Sequence, residues 1–358
     1  MDYSVTNSLL DKRQSTLIKA MRFPLIVLVV IAHSAFQIDL SSNQLSFYHF
    51  VQEMISHNFC KIAVCWFFVF AGYFFFNNIP EKGVSFKWFA EKWQRRIRTL
   101  LIPFLFWNLL FVLAYYIKSC VSIRNGLSLT GFLSYDNGPL HWFIFGPANH
   151  PLWFIRDLML MTLLAPLLFF LFKKTPRFIG ITILCLLFLI PFDTPILTWR
   201  GYFFFALGTF LSIQKLNILS LCRKVKWPAA ILTIVLLIIA TIYNDSTYHL
   251  LLLRPFYPLG MISFMNICDQ IIENDRICNR LCNLSKAVFF IYASHEIFII
   301  GGIKDASSHI LGGTLAGIWL RYFLVPIVVV CICLALYYIL NWTMPRALAF
   351  TCGGRNSK

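Results

Sequence analysis

The chain has 358 residues, of which 59% are hydrophobic and only 13% charged, against about a quarter charged in a typical soluble domain. A formal net charge of +16 invites a nucleic-acid reading. The basic residues, however, cluster in short links between apolar runs of about twenty residues, so the charge reads as topology signal and contact with anionic membrane lipid.

Runs this uniformly apolar exclude a β-barrel, whose strands would alternate, and leave an all-α, polytopic integral membrane protein. Ten transmembrane helices are expected, at 17–36, 59–77, 100–117, 152–172, 178–192, 199–213, 228–243, 248–267, 286–303 and 315–340. With the N-terminus in the cytosol, the inner links hold 22 of the 31 Lys and Arg, and each outweighs its outer neighbours. Both termini are therefore expected to be cytosolic. This gives a tail over 1–16, one transmembrane domain over 17–345 and a tail over 346–358. The polar N-terminus precedes an apolar run with no small-residue cleavage site, so the first helix is expected to be retained. The eleven cysteines are scattered, mostly in apolar runs; Cys278 and Cys282 lack a neighbouring His, and no metal site is expected.

The first run, LIKAMRFPLIVLVVIAHSAF, carries Arg22 and His33. Eleven positions apart, they are separated by about three helical turns plus roughly 20°, and so share one face about 16 Å apart along the axis. Ionisable groups at membrane depth rarely face lipid, so this face is expected to line a cavity or to pack on other helices.

In the second run Gly72 allows close helix approach. The basic link KWQRRIRTLLIPFLFW then places Arg95 and Arg98 three apart, a fork able to hold phosphate, with lipid-headgroup contact an equal alternative. The outer loop from Lys118 to Pro151 is long, and long loops are often functional. With the start of the next run it brings His141, Trp142, His150 and Trp153, either as a stacking surface for a sugar or as interfacial anchors. Arg254 and Arg321 lie near span ends, where snorkelling accounts for them. His295 is a second intramembrane His, either lining a site or hydrogen-bonded in the core; Glu296 beside it points to another face.

Taken together these stretches resemble the membrane-bound acyltransferase-3 family. The likeness is carried by Arg22 and His33 in MRFPLIVLVVIAHS, by FFVFAGY at 67–73, by RRIRTLLIPFLFW with Arg95 and Arg98, by PLWFIRDL at 151–158 and by FFIYASHE at 289–296. Two positions depart from the family pattern: Lys19 stands where an acid usually precedes the Arg by three, and Ala71 replaces a small hydroxyl.

The resemblance implies transfer of an acyl group, most often acetyl, from cytosolic acyl-CoA to a hydroxyl of a surface glycan or lipid-linked saccharide at the plasma (inner) membrane. His33 would be the general base, or would itself carry the acyl group. Arg22 would act with His33 in catalysis by orienting the thioester end, or would hold a CoA phosphate; Arg95 and Arg98 would hold the nucleotide phosphates of the acetyl-CoA, and His141, Trp142, Trp153 and His295 the acceptor. Asp39, Asp157 and Glu296 are the candidates for an acid that orients His33. A proton-coupled transporter is the alternative, followed by a flippase or polymerase of a glycan precursor and by a non-catalytic scaffold.

Overall fold

A computed structural model describes residues 3–36, 46–77, 79–80, 84–122, 138, 141–190 and 192–354. Among these the chain is helical throughout, and the one extended pairing is an isolated bridge between Thr194 and Leu197. The helices run α1 (Tyr3–Ser34), α2 (Ser46–Gln52), α3 (Ile62–Phe76), α4 (Phe86–Arg96), α5 (Ile102–Ser122), α6 (Trp153–Leu163), α7 (Ala165–Lys174) and α8 (Arg177–Leu189). They continue as α9 (Trp199–Ile213), α10 (Ile218–Lys224), α11 (Lys226–Ile242), α12 (His249–Ile271), α13 (Asp275–Leu284), α14 (Val288–Ser294), α15 (Ile300–Leu311), α16 (Leu315–Thr343) and α17 (Pro345–Thr351). Polar side chains close many of their N-termini: Ser85, Thr198, Asn217, Asn274 and Thr314 each accept a backbone N–H of the first turn.

Among the described residues six stretches are long and apolar enough to cross a membrane, and up to eight if each bent pair is one span. The bent pairs are α6 with α7, at 53°, and α9 with α10, at 105°. The remaining two of the ten expected spans correspond to α8 and α11, which are shorter apolar helices of 13 and 17 residues.

Helix α1 threads the bundle, packing on α3, α12, α13, α14 and α16. Its register is set at the basic end. Arg13 Nε donates to Asp269 Oδ1 at 2.7 Å, and Arg223 reaches the other carboxylate oxygen at 2.6 Å. One buried carboxylate thus joins α1, α10 and α12; without it Arg223 would lose its ion pair and Arg13 would keep only the longer contact to Glu273, at 3.8 Å. Gln14 donates to the Tyr73 hydroxyl at 3.0 Å and accepts from Leu219 N at 3.1 Å, tying α1 to α3 and α10.

The most extensive helix pair is α3 with α9. A Cβ on Gly72 would run into the Phe205 carbonyl, and one on Gly208 into the Val69 carbonyl. Two glycines facing opposite ways let the backbones touch, which is how helices associate where lipid offers no hydrophobic contrast.

The expected span at 286–303 is broken. Past Ser294 the chain makes a π-helical turn over His295–Ile299 in which Ile297 leaves helical angles and Phe298 adopts φ 57°; α15 then restarts. A non-glycine residue with positive φ is strained and persists only where its surroundings hold it.

Candidate active site

One face of α1 carries Ser15, Ile18, Lys19, Arg22 and Ile26, spaced three to four apart, and all line a cavity of about 690 Å³. Pro24 lies within this stretch without ending the helix. Phe67, Phe70, Ala71 and Phe74 of α3 form a second wall, with Phe154 and Leu158 of α6 and Phe289 and Tyr292 of α14 opposite. Among the described residues four cations enter the cavity, Lys19, Arg22, Arg96 and Lys286, and none of the described lining residues is acidic. Arg22 lies 5.8 Å from the centre of the Phe74 ring, and Arg96 lies 5.7 Å from that of Phe75. An apolar cleft with unneutralised cations suits a ligand that is part hydrocarbon and part anion.

Two turns beyond Ile26, the same stripe reaches His33. Its Nδ1 lies 2.8 Å from the Val29 carbonyl oxygen. A carbonyl can only accept, so Nδ1 carries the proton and Nε2 presents a lone pair. The imidazole is half-buried. His295 repeats the arrangement just past the end of α14: its Nδ1 donates to the Ile291 carbonyl at 3.0 Å, and its Nε2 is buried without a partner among the described residues. The two ring centres lie 5.1 Å apart with planes at 77°. A third imidazole, His150, stands 6.3 Å from His33 and is exposed.

The loop bearing His150 is fixed on both sides. Asn108 on α5 donates to the Trp142 carbonyl at 2.7 Å and accepts from Asn149 N at 3.0 Å; the Asn149 amide donates in turn to the Ala293 carbonyl at 3.0 Å. The Tyr292 hydroxyl donates to the Pro151 carbonyl. Tyr292 lines the cavity and its ring lies 6.5 Å from that of His295, so this one side chain stands between the cavity and the histidine cluster. From across the helix break, Lys304 Nζ donates to the carbonyls of His33 at 3.0 Å and Ala35 at 2.6 Å. The last carbonyls of α1, unpaired within the helix, are thereby satisfied.

The remaining expected residues lie as follows. Arg95 and Arg98 are exposed and do not line the cavity; the intervening Arg96 does. His141 stacks on Phe145 at 6.1 Å, while Trp142 is 5% exposed and offers no open face. Trp153 is half-buried under the Arg200 guanidinium, 5.7 Å from its ring centre. Asp157 is buried and accepts from Arg156, Thr198 N and Thr198 Oγ1, a structural assignment that leaves it no capacity for His33. Glu296 has a buried, unpartnered oxygen and lies within electrostatic reach of His150 and Lys304. Asp39 falls outside the described residues. Lys19 and Ala71, the two departures from the family pattern, both line the cavity. No group of three or more His, Cys, Asp or Glu able to hold a metal occurs among the described residues.

A family model for an acyltransferase domain, acyltransferase 3, matches residues 17–338. The succinoglycan biosynthesis protein ExoH of Rhizobium meliloti (strain 1021) is 27% identical over 367 residues, covering 97% of this chain and 94% of that protein. No solved structure matches.

Proposed function

The chain belongs to the acyltransferase 3 family, and from that premise we propose that it moves an acetyl group from cytosolic acetyl-CoA to a hydroxyl of a surface glycan or lipid-linked saccharide at the plasma membrane. The observation that carries this reading is the single face of α1. Arg22 sits in a cavity whose described lining holds four cations and no acid, and His33, about 16 Å further along, keeps its Nε2 unengaged among the described residues.

In this scheme Arg22, Arg96, Lys19 and Lys286 hold the donor's phosphates, and the aromatic walls shield its arm. His33 takes the proton of the acceptor hydroxyl as the oxygen attacks the thioester carbon, then returns it to the departing thiolate. Lys304 holds the end of α1, and so the base, in place. Support for a glycan acceptor comes from the relative ExoH, named for polysaccharide biosynthesis. The charge asymmetry of the links supports ten spans, counting α8 and α11, with both termini in the cytosol.

The test is CoA release from acetyl-CoA by purified protein in proteoliposomes, with an extract of lipid-linked glycans as acceptor. Acceptor-dependent release is expected from wild type, reduced about 10²–10⁴-fold in His33→Ala. Release that survives His33→Ala would remove the base. Uptake of substrate with no CoA release would replace transfer by transport.

A further inference from the structure

We propose that His150 is a second catalytic residue, donating a hydrogen bond to the oxyanion formed when the thioester carbon is attacked. The inference rests on the acyl-transfer reading above and adds to it the group that faces the base.

The three imidazoles are not equivalent. His295 is completely buried and its ring packs edge-on against that of His33, so it is not open to a substrate. His150 is exposed, and its ring stands 6.3 Å from that of His33 at 63°. The gap between an exposed and a half-buried imidazole is where a tetrahedral centre meets both, the attacking oxygen towards His33 and the former carbonyl oxygen towards His150. A neutral imidazole always keeps one N–H, so His150 can donate without first being protonated. Among the described residues the side chain of His150 makes no hydrogen bond, so none of them competes with a ligand for that N–H.

Its backbone, by contrast, is held tightly. Asn149 before it is bound to Asn108 and to the Ala293 carbonyl, and Pro151 after it receives the Tyr292 hydroxyl. Ala293 and Tyr292 are the residues just before His295 on α14, so the segment that supports the back of His33 also fixes the loop in front of it. A rigid backbone carrying an unengaged side chain towards the base is the preorganisation that oxyanion stabilisation requires.

The step balances as follows. His33 Nε2 accepts the hydroxyl proton as the C–O bond forms; the carbonyl π pair moves onto oxygen, where the His150 N–H stabilises it. That pair then re-forms the carbonyl as the C–S bond breaks, and the thiolate takes the proton from His33. The products are the ester and the free thiol.

Wild type, His150→Ala, His150→Gln and His33→Ala are compared in proteoliposomes with acetyl-CoA and an extract of lipid-linked glycans, with melting temperature as the check on folding. The expected result is a kcat about 10²–10³-fold lower in His150→Ala, with the KM for acetyl-CoA unchanged. His150→Gln keeps an N–H donor and recovers part of that loss. Full kcat in His150→Ala, or a Gln variant no better than Ala, overturns the proposal while leaving transfer and His33 intact. Absence of acceptor-dependent CoA release from wild type overturns acyl transfer and this role together.

Discussion

Lys304 donates to the backbone carbonyl of His33 at 3.0 Å across 271 positions of sequence, so a lysine beyond the helix break holds the end of the helix that carries His33, the proposed base. Removing the ammonium leaves two carbonyls of the last turn to fray. Lys304→Met is expected to lower kcat about tenfold while leaving the KM for acetyl-CoA unchanged, and Lys304→Arg to restore part of it. Steady-state kinetics with the two concentrations varied separately decides this; a change confined to KM would contradict it.

The cavity distinguishes neighbouring arginines. Arg96→Gln and Lys286→Gln each remove a cation from the lining and are expected to raise the KM for acetyl-CoA about tenfold. Arg95→Gln and Arg98→Gln, outside it, are expected to leave KM where it was. Equal effects from all four would mean that the basic link acts as a diffuse field and not through particular contacts.

His295 carries a buried nitrogen without a partner, an arrangement that costs about 1–3 kcal/mol. His295→Leu is expected to melt no lower than wild type while losing turnover, the sign of a residue kept for activity against stability. A lower melting temperature with unchanged turnover would make it a core histidine.

The contact of α3 with α9 depends on missing side chains. Gly72→Ala would drive a methyl into the Phe205 carbonyl and is expected to cost about 1–3 kcal/mol, read as a lower melting temperature in detergent. Gly302→Ala, which meets open space, serves as the control and is expected to have no such effect.

Helical periodicity made the α1 stripe legible in the sequence, because eleven residues return a helix to nearly the same face whatever surrounds it. The same reasoning chose Arg95 and Arg98 as neighbours but could not say which side of α4 faces inward. It also assumed a uniform helix where Ile97–Leu101 forms a π-helical turn, which shifts the phase across Arg98. The break at Ile297 and Phe298 left no mark, since neither Gly nor Pro occurs there. His150 stood out in the sequence only as part of a stacking surface in the long outer loop, not as a neighbour of His33. Loops have no period, and its approach to His33 depends on Asn108 and Tyr292, residues far away in the chain.

Because Arg22 and His33 belong to one unbroken helix, the interval between them works as a ruler. Sliding or tilting α1 moves both marks together, so the distance from anion anchor to base cannot be tuned by the surrounding bundle. Inserting a single residue in the interval would turn His33 by about 100° away from Arg22. In the reaction proposed above, selection among donors by arm length would therefore be written into the chain itself, before any pocket contact is made.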